Sequence, residues 1–131
     1  MSPATTTRAT PTATQPQPAA VLSKAVVRAA RLLDFTQRDI AATLGMSEAT
    51  ASRFFAGKYE LDPDRAKEWE LSLLFVRLYR SLDALWGHEE TARRWLDSEN
   101  VSLAAPPRTL VRTVEGLVRV VGYLDAARSR V

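Results

Sequence analysis

Thr36 to Lys58 reads TQRDIAATLGMSEATASRFFAGK, and this stretch constrains the fold more tightly than any other in the chain. Thr36, with Asp39 three positions later, has the form of a capping box, so a helix opens there. Gly45 permits a left-handed turn and breaks that helix. Ser47 is placed to cap a second short helix running to about Phe55, which Gly57 is placed to end. The packing demands of two such helices are met position by position. Ile40 and Leu44 face inward from the first helix, and Ala41 is small where the second must cross close by. Met46 plugs the turn, while Ala51 and Phe54 face back from the second helix. Ser47, Glu48, Ala49, Thr50, Ser52 and Arg53 are left on the exposed side.

The rest of the chain is also helical in pattern, and strand signals are absent. Leu22, Ala25, Val26, Ala29, Ala30 and Leu33 recur at three- and four-residue steps, giving one apolar stripe from Val21 onward. Asp62-Pro63 offers a capping aspartate and a proline at the first helical position. The helix predicted from it carries Ala66, Trp69, Leu73, Val76 and Leu85 and meets no breaker before Gly87. A helix that long joins two halves or forms a partner seam. A shorter helix from about His88 to Asp97 follows, then an irregular stretch around Asn100 to Pro107. The last helix spans about Thr109 to Ala127, with Gly116 and Gly122 inside it at a cost of roughly 1 kcal/mol each against alanine. Residues 1–20 are different material: Pro, Thr and Ala fill 15 of the 20 positions, and Arg8 is the one charge. Such a segment has too little apolar surface to offset its ordering entropy, and it is expected to be a disordered, solubilising tail. The expected division is a tail over 1–20, a first domain over 21–61 and a second over 62–131.

Composition narrows the function. A chain of 131 residues can close a modest core, and its apolar fraction of 46% suits a globular protein. It has no cysteine and one histidine, which removes zinc–thiolate sites, thiol nucleophiles and multi-histidine metal sites. His88-Glu89 begins like a zinc-protease motif, but Ala92 stands where the second histidine would fall. The paired acids Glu89-Glu90 and Asp62/Asp64 suit helix N-termini rather than catalysis. No glycine loop could cradle a phosphate. The chain is therefore read as no enzyme, with neither cofactor nor metal. No apolar run is long enough for a membrane span and no secretory h-region is visible, so a cytoplasmic protein is expected. Net charge is only +3, but residues 21–60 hold six Lys/Arg against four acids, whereas residues 61–131 hold eleven of each. The basic excess lies in the N-terminal helices.

Two short helices joined by a glycine-containing turn form the unit that sets a second helix into the DNA major groove. The segment Thr36–Lys58 resembles the helix-turn-helix of Xre- and Cro-like repressors over its whole length. Arg53 and the Ser47-Glu48-Ala49-Thr50 start of the second helix would meet base edges, with Ser52 on the same side. Gln37, Arg38, Thr50 and Lys58 could reach phosphates. Glu48 is awkward beside phosphates; it can accept from a cytosine amino group or complement the helix N-terminus, and the second reading is favoured. Phe54-Phe55 reads as core rather than a stacking platform. A helical hairpin that packs but never touches DNA is the alternative.

Residues from about Leu78 to Arg130 resemble the toxin-binding domain of the Xre/MbcA/ParS antitoxin family. The resemblance rests on Ala92, Trp95-Leu96, Asn100, Leu103, the proline at 106–107, Leu110, Thr113, Gly116 and the Val120…Leu124 pair. Ala104-Ala105 departs from the family, where many members carry glycine, and implies a stiffer turn. The fold so implied is all-α: an N-terminal Xre/Cro-like helix-turn-helix bundle followed by a helical toxin-binding and dimerisation domain. The function implied is a type II antitoxin that blocks the active site of a RES-domain, NAD-consuming toxin and binds its own double-stranded promoter DNA. A homodimer is expected on separate grounds, since one helix-turn-helix buries little DNA surface and paired half-sites about one helical turn apart are the usual remedy. The C-terminal YLDAARSRV supplies the expected plug, with Tyr123, Asp125, Arg128, Ser129, Arg130 and Val131 as toxin-binding residues and Trp95-Leu96 holding the domain together. Arginines near a helix C-terminus also suit their own helix dipole, which is the plainer explanation. Two other functions compete: a free-standing repressor whose C-terminal helices only dimerise, and a protein-interaction module with a vestigial helix-turn-helix.

Overall fold

In the computed structural model, which describes residues 17–130, the chain forms seven helices and no strand among those residues. The first, α1, is Pro18–Leu32. Proline at the first helical position lacks the N–H that would be unpaired there anyway, so it starts a helix well. Pro18, Ala19 and Ala20 are therefore helical rather than part of a tail. The remainder of the expected tail, residues 1–16, lies outside the described residues.

The next two helices, α2 (Gln37–Leu44) and α3 (Glu48–Phe55), follow the sequence expectation closely. Both halves of the capping box form: the Thr36 side chain accepts from Asp39 N–H, and the Asp39 carboxylate accepts from Thr36 N–H, each at 3.0 Å. Gly45 takes φ 73°, a conformation that costs a side-chain-bearing residue roughly 1–2 kcal/mol. Ile40, Leu44, Ala51 and Phe54 are all buried, and Met46 packs half-buried against them.

The long helix α4 is Ala66–Trp86, shorter at its start than Asp62-Pro63 suggests. The Asp62 carboxylate is spent on a local turn, accepting from Asp64 N–H at 2.9 Å, while Asp62 O accepts from Arg65 N–H at 2.9 Å. That turn delays helical geometry until Ala66. Helix α4 then joins the two halves of the molecule. Leu71, Phe75, Leu78 and Leu82 recur at four- and three-residue steps and are at most 3% exposed. Phe75 meets Phe35 of the N-terminal half edge-on, with ring centroids 5.2 Å apart.

Three more helices complete the fold: α5 (Glu89–Asp97), the single turn α6 (Pro107–Leu110) and α7 (Val114–Ser129). The single final helix predicted from Thr109 is thus two elements. Thr113 caps α7, its side chain accepting from Gly116 N–H at 3.1 Å, and the chain must turn before that cap. Gly116 is where α6 crosses α7: a Cβ there would lie 1.8 Å from Leu110 O. Ala104 holds φ 64°, so the stiff turn expected at Ala104-Ala105 places an alanine in the left-handed region.

One apolar cluster runs from Leu22 to Leu124 and crosses the division expected at residues 61–62. Two arginines of the C-terminal half also grip the end of α1 and the loop after it. Arg93 donates to Leu32 O at 2.7 Å, and Arg108 donates to Asp34 O at 3.2 Å with its guanidinium 4.7 Å from the Phe35 ring centroid. Among the described residues, no helix is long and apolar enough to cross a membrane.

Candidate functional site

The exposed ridge of α3 is built by its own cap. Ser47 Oγ accepts from Thr50 N–H at 3.0 Å, its hydroxyl also meets Thr50 Oγ1 at 3.0 Å, and Arg53 Nη2 donates to Thr50 Oγ1 at 3.3 Å. Ser47, Thr50 and Arg53 therefore form one linked row along α3, from its cap to its last turn. Glu48, Ala49 and Ser52 are exposed beside them. Ala49 and Ser52 are short, which lowers the profile of the ridge for entry into a major groove, while Glu48 projects beyond them.

Gln37 and Arg38 begin α2 and are exposed next to this ridge. Arg38 Nε lies 3.5 Å from Glu48 Oε2, an ion pair across the two helices with both side chains largely exposed. The awkward carboxylate of Glu48 thus has a partner on the protein as well as a place in the first turn of α3. Lys58 sits past the end of α3, where its N–H donates to Arg53 O at 2.8 Å and its side chain is exposed. Phe54 is 2% exposed and Phe55 half-buried, so this pair is packing rather than a platform.

Behind the ridge, the loop from Tyr59 to Leu61 fixes α3 to the rest of the domain. Leu61 N–H donates to Ser23 Oγ at 2.9 Å, and Tyr59 donates to the buried Glu68 carboxylate at 2.7 Å. Burial first, and then this hydrogen bond, hold the Tyr59 phenol above its ordinary 10.0.

The C-terminal candidates divide into tethered and free groups. Tyr123 is half-buried and stacks on Trp95, with centroids 6.0 Å apart and planes at 22°. Trp95 in turn lies 5.5 Å from Trp86. Sequence reasoning misses Trp86, whose only signal is its aromatic character at the end of α4. Asp125 pairs with Arg77 of α4. Arg128 Nη1 donates at 3.1 Å to the hydroxyl of Ser81, which is itself fully buried. Ser129 returns a bond to Asp125 O at 3.1 Å. Leu96 is wholly core, whereas Trp95 is only partly so. Arg130 is exposed and its side chain makes no hydrogen bond or ion pair with any described residue. Val131 lies outside the described residues.

Comparison with known families adds two matches in chain order. Residues 12–77 match the antitoxin Xre-like helix-turn-helix domain, and residues 81–130 match the antitoxin Xre/MbcA/ParS C-terminal toxin-binding domain. The chain belongs to the Xre-type antitoxins. A comparison with curated proteins finds no match. The antitoxin is thus a toxin–antitoxin component with a helix-turn-helix and a toxin-binding domain, and neither family is enzymatic. The first matched range continues into α4, so the helix that joins the two halves is shared with the helix-turn-helix family rather than belonging wholly to the toxin-binding one.

Proposed function

We propose that this antitoxin neutralises a RES-domain, NAD-consuming toxin by binding over its active site, and that it represses its own promoter as a cytoplasmic homodimer. Residues 21–61 serve the DNA and residues 62–131 serve the toxin and the dimer. The observation that carries the reading is the pairing, in one chain, of an exposed Ser47–Thr50–Arg53 ridge with a C-terminal helix followed by Arg130, which has no partner among the described residues. Base edges are read by small polar side chains and by arginine; the ridge supplies the first at the start of α3 and Arg53 in its last turn. A planar guanidinium at the end of a helix suits a carboxylate- or aromatic-lined cleft. The RES class of the toxin follows from the family resemblance.

The test is co-expression with the RES-domain protein of the adjacent reading frame. Restored growth, co-purification of the pair and loss of NAD turnover by the purified complex are the expected results. Growth arrest in the presence of the full chain would overturn the assignment of this toxin. A second reading, a free-standing repressor that dimerises through its C-terminal helices, draws on Val114 and Val118, which lie one turn apart on α7 and are 46% and 51% exposed. That reading predicts duplex binding by a dimer but no rescue.

A further inference from the structure

We propose that the groove between α1 and the end of α3 is a binding site for a small organic anion carried on an apolar body. The groove encloses about 760 Å³, within the roughly 300–1,000 Å³ of small-molecule sites. Lys24, Arg28 and Arg31 recur at four- and three-residue steps along α1 and so form one edge, while Lys58 approaches from the other side. Among the described residues, none of these four cations makes an ion pair. Arg31 is oriented instead by neutral groups: Nη2 donates to Phe55 O at 3.2 Å, and the guanidinium lies 5.8 Å from the Phe55 ring centroid. Glu60 is the one acid in the lining.

Four cations around one concavity repel one another, and a bound anion converts that repulsion into attraction. The floor says what kind of anion. Val27 and Phe55 are half-buried apolar surfaces that water covers poorly, and an aromatic or short-chain body would cover them. A duplex backbone brings phosphates but nothing apolar for that floor. The site is distinct from the α3 ridge, although Lys58 borders both.

The experiment titrates the full chain with 8-anilinonaphthalene-1-sulfonate, an anion on an aromatic body, and in parallel with uncharged N-phenyl-1-naphthylamine. Fluorescence gives affinity and backbone amide shifts give location. One saturable sulfonate site is expected, with shifts centred on Val27, Arg28 and Phe55 and much weaker binding of the neutral dye. Lys24→Gln combined with Arg28→Gln should weaken the sulfonate at least about tenfold through two lost charge-assisted contacts, without lowering the melting temperature. Lys67→Gln combined with Arg112→Gln, two exposed cations outside the groove, should change nothing. Equal binding of both dyes, shifts centred on Trp86 and Trp95, or parental affinity in the Lys24/Arg28 variant would each overturn the proposal. So would groove shifts that grow with protein concentration in the absence of dye, which would mark a second copy as the occupant.

Discussion

Gly116 stands so close to Leu110 that a Cβ on it would lie 1.8 Å from the Leu110 carbonyl oxygen, whereas a Cβ on Gly122 would meet nothing within 4 Å. Two glycines in one helix therefore have opposite meanings. Gly116→Ala must push α6 off α7, and the destabilisation is expected at about 3 kcal/mol, the upper end of overpacking. Gly122→Ala should stabilise by up to about 1 kcal/mol, the helix-propensity difference. Urea unfolding of the two variants checks both signs. A tolerated Gly116→Ala would mean that α6 is not docked as described.

Ala104 carries the opposite mismatch, a side chain where the backbone favours none. Its φ of 64° costs an L-residue roughly 1–2 kcal/mol, part of which glycine's larger unfolded-state entropy would take back. Ala104→Gly is expected to stabilise the fold by about 0.5–1 kcal/mol. A rise in the urea midpoint with an unchanged m-value is the measurement. A fall would place Ala104 in another conformation in solution.

Local signals are legible in the sequence, and long-range ones are not. Thr36, Asp39, Gly45 and Ser47 act on backbone groups within three or four residues of themselves, so their spacing alone announces α2 and α3. Asp62-Pro63 carries the same kind of signal and misleads, because the Asp62 carboxylate takes the N–H two residues on. The bond that settles this loop, Leu61 N–H to Ser23 Oγ, spans 38 residues and has no sequence signature. At the C-terminus, the helical character of α7 can be read, but the tethering of Asp125 to Arg77 and of Arg128 to Ser81 depends on how α4 and α7 meet. The Trp86–Trp95–Tyr123 ladder is hidden for the same reason.

The Arg38–Glu48 pair makes a prediction about DNA. Both side chains are more than two-thirds exposed, so the pair contributes less than about 1 kcal/mol to folding. If α3 enters the major groove as proposed, Glu48→Gln removes a carboxylate from beside the phosphates and releases Arg38 to meet them. Promoter affinity at low salt should rise about fivefold, and the slope of log K against log[salt] should steepen by about one. Fluorescence anisotropy over a salt series measures both. A lower affinity would instead assign Glu48 to a cytosine amino group, and its discrimination should then fall at one base pair only.

The division between tethered and free C-terminal side chains sharpens the toxin-blocking proposal into a contrast between two arginines. Arg128 is the donor to the buried Ser81 hydroxyl, so Arg128→Ala is expected to destabilise the fold by about 1 kcal/mol, the usual worth of one such bond. Arg130 has no partner within the described residues, and Arg130→Ala should leave stability within about 0.5 kcal/mol of the parent. If Arg130 enters the toxin's active site, its loss should weaken neutralisation at least about thirtyfold, the scale of a binding hot spot. The measurement is NAD turnover by the toxin, titrated with each antitoxin variant at fixed toxin concentration. Loss of inhibition by Arg130→Ala in a folded, DNA-competent protein places the plug just past the end of α7. Full inhibition by Arg130→Ala alongside failure of Arg128→Ala would move the contact back along the helix, towards Tyr123 and the tryptophan pair.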